Sequence, residues 1–340
     1  MPTINQYYDY AKLANAAYVK PDNGIGGAQF AGTANDQGRL PLSVANQTFN
    51  ENSEEADGQP VWIIPSEDAY QGNDGTGFAA TLFQKGSQKV LAVRGTEGVN
   101  YLDLVIADLS QIGFLGVALS QAVSMVNFIM RARGDTSEHD LIQFQWGISG
   151  TYPAGQHNIS LGGGSGYLYI SATYTGDGLG LIGPNETITA TGHSLGGHLA
   201  ALAARLFPTL ITETYTYNAP GFDPTLSPAA LLAAPAVIAG GPLAGILAVL
   251  GGAVTSLQLT DEIVDLFRQL LPNPPASSFT GLNIHVLESE DAAPGDDTSF
   301  VSSVLTGAGA LGQETFVTSE LSSHLIEPLM DALGLHALLQ

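Results

Sequence analysis

The residues best placed to do chemistry lie between positions 187 and 206. Thr187-Ile188-Thr189-Ala190-Thr191 is a β-branched run that reads as a strand, and it leads into Gly192-His193-Ser194-Leu195-Gly196. Gly197-His198-Leu199-Ala200-Ala201-Leu202-Ala203-Ala204-Arg205-Leu206 follows, a strong helix former. Strand, G-x-S-x-G and helix in this order predict a sharp turn that presents a serine nucleophile. Such a turn holds Ser194 in a strained backbone conformation, while Gly192 and Gly196 let strand and helix close on it. The serine oxygen then stands at a helix N-terminus, where free N–H groups favour developing negative charge. With 41 glycines in the chain, the bare pattern would arise by chance about one time in three, so its flanks carry the weight.

Those flanks have a precedent. His193, the double glycine Gly196-Gly197 and the small-residue helix resemble the G-H-S-L-G-G signature of lipases. A second element lies about one hundred residues earlier: Val93-Arg94-Gly95-Thr96 follows the strand-like run Lys89–Val93, and Ile106-Ala107-Asp108-Leu109 comes shortly after. This pair resembles the F-R-G-S/T … A-D-L segment of the class 3, fungal-type lipases. The resemblance implies that Thr96 supplies one oxyanion-hole donor and the N–H of Leu195 the other. Alone, Arg-Gly-Thr would read as a surface turn.

A serine nucleophile needs a base and a group to orient it, in the chain order Ser, Asp or Glu, His on this kind of fold. Four histidines follow Ser194: His198, His285, His324 and His336. His198 is four residues along the same helix and points away down it. His285 falls within the strand-like run Leu282–Leu287, and His336 is close to the last residue of the sequence. His324, in Ser322-Ser323-His324-Leu325 ahead of an apolar helix, has a loop-to-helix position and is the expected base, with His285 as the alternative. The acid is expected just past the strand that ends at Leu287, in Glu288-Ser289-Glu290-Asp291-Ala292-Ala293-Pro294. That segment resembles the N-D-x-V-P loop of class 3 lipases, with Glu290 in place of Asn and Ala293 in place of Val, and it implies Asp291. Asp297 and Glu290 are the reserves, while Asp261 and Asp265 read as capping or surface charges of a helix beginning near Thr260.

These residues need a frame. Tyr7–Tyr18 spaces its apolar groups as a short helix, residues 21–60 read as an irregular excursion, and Val61–Ile64, Gly77–Phe83 and Lys89–Val93 read as strands. Residues 143–174, rich in Gly, Tyr and alternating apolar positions, predict hairpins; Gly163-Gly164-Ser165-Gly166-Tyr167-Leu168 lacks the Asp of a calcium-binding nonapeptide repeat. Leu109–Met130 and Pro224–Thr260 carry no charge at all. Pro235, Gly240-Gly241-Pro242 and Gly251-Gly252 interrupt the second, and Ser110, Gln111, Ser120, Gln121, Ser124 and Asn127 dilute the first, so neither reads as a membrane span. The resemblance implies one α/β-hydrolase domain over residues 1–340, with a mostly parallel sheet and helices on both faces. Residues 109–133 and 224–280 are then the apolar lid or cap segments, with buried core helices as the alternative.

Composition excludes other classes. Against 32 Asp and Glu stand 10 Lys and Arg, a net charge of −22, which disfavours nucleic acid and anionic membrane surfaces alike. No cysteine is present, so a disulfide framework, a thiolate metal site and a cysteine nucleophile are out. The expected activity is hydrolysis of carboxylic esters of lipid, triacylglycerol first, with phospholipase A1 or a non-catalytic membrane-inserting module as alternatives. The chemistry requires no metal, although a structural calcium ion would suit the Asp-rich loops. The expected partner is a lipid–water interface reached through uncharged segments rather than charge, without a transmembrane anchor. Residues 1–10 lack a signal-peptide pattern. With the resemblance, this implies bacterial export without such a peptide, a cytoplasmic location being the alternative.

Overall fold

The computed structural model describes residues 2–19, 48–49, 61–72, 74–95, 118–160, 166–219, 259–271 and 282–287. Strands β1 (Tyr70–Gln71), β2 (Ala80–Lys85) and β3 (Gln88–Val93) come first, after helix α1 (Ile4–Ala16). Helix α2 (Leu119–Arg133) and strands β4 (Leu141–Ser149), β5 (His157–Ser160) and β6 (Tyr167–Gly176) follow. Then come β7 (Ile188–His193), α3 (Leu195–Leu206), β8 (Ile211–Tyr217), α4 (Leu259–Leu270) and β9 (Ile284–Leu287).

Six strands form one sheet in the order β1-β2-β3-β7-β8-β9. The β1–β2 and β2–β3 pairs are antiparallel, whereas β3–β7, β7–β8 and β8–β9 are parallel. The chain is therefore of the α/β class, with a mixed, mostly parallel sheet. Its central strand β7 is buried at all six residues, as a parallel sheet covered on both faces requires.

Alternation along the strands shows what covers each face. On β8, Tyr215 packs edge-on against Tyr7 and on the face of Tyr10 of α1, with ring centroids 5.4 and 4.2 Å apart, and the Tyr217 hydroxyl donates to the Tyr7 carbonyl at 2.6 Å. Thr216, one residue out of phase, lies under α3, where a side chain on Gly197 would meet its Cβ at 3.3 Å. Helices α1 and α3 thus pack on opposite faces. Helix α1 opens on a capping box, Thr3 and Gln6 bonding each other's backbone N–H groups, and sinks Tyr10, Leu13 and Ala14 into the core. Each fully buried side chain of Leu or Phe size adds roughly 1.5–3 kcal/mol. Lys89 on β3 donates to both Leu181 O and Glu186 Oε2 at 2.7 Å, clamping the approach to β7.

The expected hairpins over 143–174 appear as a second, antiparallel sheet in the order β4-β6-β5. Helix α2 lies on β4, where the Asn127 side chain bonds both backbone groups of Phe144 at 2.8 Å and the Trp146 indole donates to Ser120 Oγ at 3.2 Å. It also touches α3. Of segment 109–133, expected as a lid or cap, residues 119–133 are thus a core helix. Ten of its side chains are buried, Leu119, Ala122, Met125 and Val126 completely, because it is held between the small sheet and α3. Of segment 224–280, α4 buries Ile263, Val264 and Phe267 against β5 and α3. Residues 109–117 of the first segment, and 224–258 and 272–280 of the second, lie outside the described residues. The strand expected at Val61–Ile64 contributes a single bridge, Ile63 to Gln84.

The face under α1 is rich in tyrosine, which sets an alkaline limit on stability. Burial, reinforced by the Glu213 carboxylate, pushes Tyr215 well above the ordinary phenol range. Burial likewise raises Tyr217, completely enclosed beside Tyr215, and Tyr10, despite hydrogen bonds from Thr189 and Gln88 that pull Tyr10 down. Because the folded values are raised, this stabilisation is fully present below about pH 10, where tyrosine ionises in an unfolded chain, and is lost as pH climbs toward the folded values. Tyrosinate absorbance for these three should therefore appear together with loss of circular dichroism, and ionisation of all twelve tyrosines before any unfolding would contradict this.

Candidate active site

Strand β7 ends at His193 and α3 begins at Leu195, leaving Ser194 alone in the turn with φ 55° and ψ −132°. Only Ser194 and Asn218 have positive φ among the described non-glycine residues. For an L-residue this conformation costs of order 1–3 kcal/mol and persists only where the surroundings enforce it. Here they do. The Ser194 N–H donates to Tyr217 O at 2.9 Å, and its carbonyl accepts from Gly197 N–H at 2.9 Å and His198 N–H at 3.2 Å. A side chain on Gly192 would strike the backbone of Gly196, and one on Gly196 would strike the Val93 carbonyl. The two glycines of G-x-S-x-G are thus required by close approach, as the sequence predicts.

The second motif arrives at the same place. Parallel pairing sets Val93 opposite Gly192, so the chain leaving β3 passes directly beside the turn. A Cβ on Gly95 would collide with the Tyr18 hydroxyl, lie 2.7 Å from the His193 carbonyl and touch Ser194 Cβ at 3.3 Å. Arg94, only 6% exposed, donates from Nη2 to Gly77 O at 3.2 Å and from its backbone to Ala79 O at 2.9 Å, which holds this corner against the chain entering β2. Gly95 is the last described residue before Thr96.

Electrostatics at Ser194 come from α3. The Leu195 N–H, first in the helix, has no carbonyl one turn behind it to bond, and the helix dipole places partial positive charge there. No acidic residue occupies the first turn to neutralise it.

The expected base and acid are not among the described residues, but the strand leading to one of them is. Asp291 and His324 lie outside the described residues, as do Thr96, Asp297, Glu290 and His336. What precedes the acid segment is in place. The Asn218 N–H donates to Leu287 O at 2.9 Å, so β9 ends beside the residue that follows Tyr217, whose carbonyl holds Ser194. The chain therefore leaves β9 about 10 Å from the turn, two strand spacings away. His285 is excluded by the same register. It pairs with Tyr215 and packs on that ring at 4.7 Å and edge-on to Tyr7 at 6.1 Å, two strands from β7 and under α1. His198 is completely buried one turn into α3. Asp265 bonds Arg268 at 3.3 Å on α4, the surface role expected for it.

One neighbour of the turn has no signal in the sequence. The Tyr18 hydroxyl and His193 Nδ1 share a hydrogen bond of 2.9 Å across 175 positions of chain. No spacing or motif marks a lone tyrosine just past the end of α1. Among the described residues no cluster of three His, Asp or Glu could hold a metal ion, and no helix is long and apolar enough to cross a membrane. No family model matches the chain, and no curated protein or solved structure is significantly similar to it.

Proposed function

We propose that this chain is a serine hydrolase of carboxylic esters, built on an α/β-hydrolase fold and acting on acyl lipids. One observation carries the reading: Ser194 is held at φ 55° between a buried parallel strand and a helix N-terminus, with Gly95 of the Arg-Gly-Thr segment packed against its Cβ. A buried strain of this kind at a serine is expensive unless the serine has to be presented.

The chemistry is acyl transfer in two steps. Ser194 Oγ attacks the ester carbonyl, and its proton passes to His324, which Asp291 orients. The Leu195 N–H and Thr96 take the oxyanion charge of the tetrahedral intermediate. The alcohol leaves with the proton from His324, and water then releases the acid by the same route reversed. Lipid as the substrate class rests on the resemblance and on the uncharged stretch 224–258, the larger of the two apolar segments left for a lid now that 119–133 is a core helix.

Fluorophosphonate labelling tests the reading directly. The label should appear on the peptide that carries Ser194, and hydrolysis of tributyrin should exceed that of phosphatidylcholine. An unlabelled, folded chain would mark a non-catalytic module, and the reverse substrate order would mark a phospholipase.

A further inference from the structure

We propose that Tyr18 is a positioning residue for acyl transfer, its hydroxyl holding His193, and with it the Ser194 turn, against the segment that supplies the oxyanion donor. The inference rests on Ser194 being the nucleophile. On the α3 face the turn is fixed by backbone packing at Gly192, Gly196 and Gly197. On the α1 face the last strand residue is His193, 5% exposed, and its ring meets Tyr18 with centroids 6.0 Å apart and a 2.9 Å hydrogen bond. The same phenol oxygen, the His193 carbonyl and Ser194 Cβ all crowd the point where Gly95 would carry a side chain. Tyr18 is therefore common to both halves of the site, the nucleophile turn and the oxyanion segment.

Its own position is well anchored. The chain turns just past α1 through Tyr18 N–H to Asn15 O and Val19 N–H to Ala16 O, at 3.1 and 3.0 Å, and buries Ala17 and Val19 on either side. Oxyanion donors work only when they are held within a few tenths of an ångström of the developing charge. Removing the hydroxyl frees the His193 ring while leaving the strand ladder intact. Transition-state placement then suffers, and ground-state binding does not.

Tyr18→Phe deletes that oxygen alone. The expected result is a kcat about tenfold lower with KM within about twofold, and fluorophosphonate labelling slowed by the same factor. His193→Ala should show the same split, and the double variant should lose no more than the larger single loss, because the two side chains act as one unit. If Tyr18→Phe does not fold, His193→Ala read by the kcat and KM split carries the test. Unchanged kcat in the variants, losses that multiply in the double variant, or a rise in KM alone would each overturn the inference. A parent chain that does not label at Ser194 would overturn the nucleophile reading and this inference with it. A labelled parent with unaffected variants overturns this inference alone.

Discussion

Ser194→Gly should give a protein that is inert yet more stable than Ser194→Ala. At φ 55° and ψ −132° the backbone of Ser194 lies in a region that only glycine occupies at ease. Glycine at this position recovers strain of about 1–3 kcal/mol, less the 0.5–1 kcal/mol that its extra freedom in the unfolded chain costs. Alanine keeps the strain and loses the oxygen. The difference between the two variants in urea unfolding, expected near 1–2 kcal/mol in favour of glycine, therefore isolates the strain from everything else the serine does. Hydrolysis of a p-nitrophenyl ester should fall by about 10³-fold or more in both, since neither can form an acyl-enzyme. Full activity in Ser194→Ala would remove the nucleophile, and alanine matching glycine in stability would remove the strain. Stability withheld at Ser194 is the expected trade for the poised nucleophile proposed there.

How far the sequence anticipates this site depends on whether the determinant is local. The turn at Ser194 is local: a β-branched run, two glycines and an alanine-rich helix each favour one conformation, and the structure shows strand, positive φ and helix in that order. The meeting of Gly95 with Ser194 is not local: the sequence offers it only through the resemblance of Arg94-Gly95-Thr96 to a lipase segment, and the structure brings it about by pairing β3 with β7 in parallel. Segment 119–133 was harder. An uncharged helix reads the same whether it covers a pocket or sits in the core, and only its enclosure by β4 and α3 decides for the core. Single-partner contacts leave no trace at all. Trp146 finds Ser120 across 26 positions, and Tyr18 finds His193 across 175, with nothing periodic to announce either.

Gly196→Ala puts two opposing rules in competition, and the site decides between them. In a helix interior the change would favour folding by about 1 kcal/mol through propensity. Here the new methyl would run into the Val93 carbonyl and lie 2.7 Å from Arg94 C and 2.8 Å from Gly95 N. All three are backbone atoms, so no rotamer can yield. Val93 is fixed on both sides, paired to Ala80 on β2 and to Gly192 on β7. Either α3 or the end of β3 must move, which separates the Leu195 N–H from the chain entering Thr96. Overpacking against backbone should cost about 3 kcal/mol despite the gain in propensity. A displacement near 1 Å at the oxyanion donors should lower kcat/KM by about 10²-fold. Gly150→Ala is the control: nothing lies within 4 Å of its Cβ, and stability should stay within about 0.5 kcal/mol of the parent. Stabilisation of the folded protein by Gly196→Ala, with activity kept, would mean that the helix and the Arg-Gly-Thr segment do not touch in solution, and the site as built from Ser194 and Gly95 would fail with it.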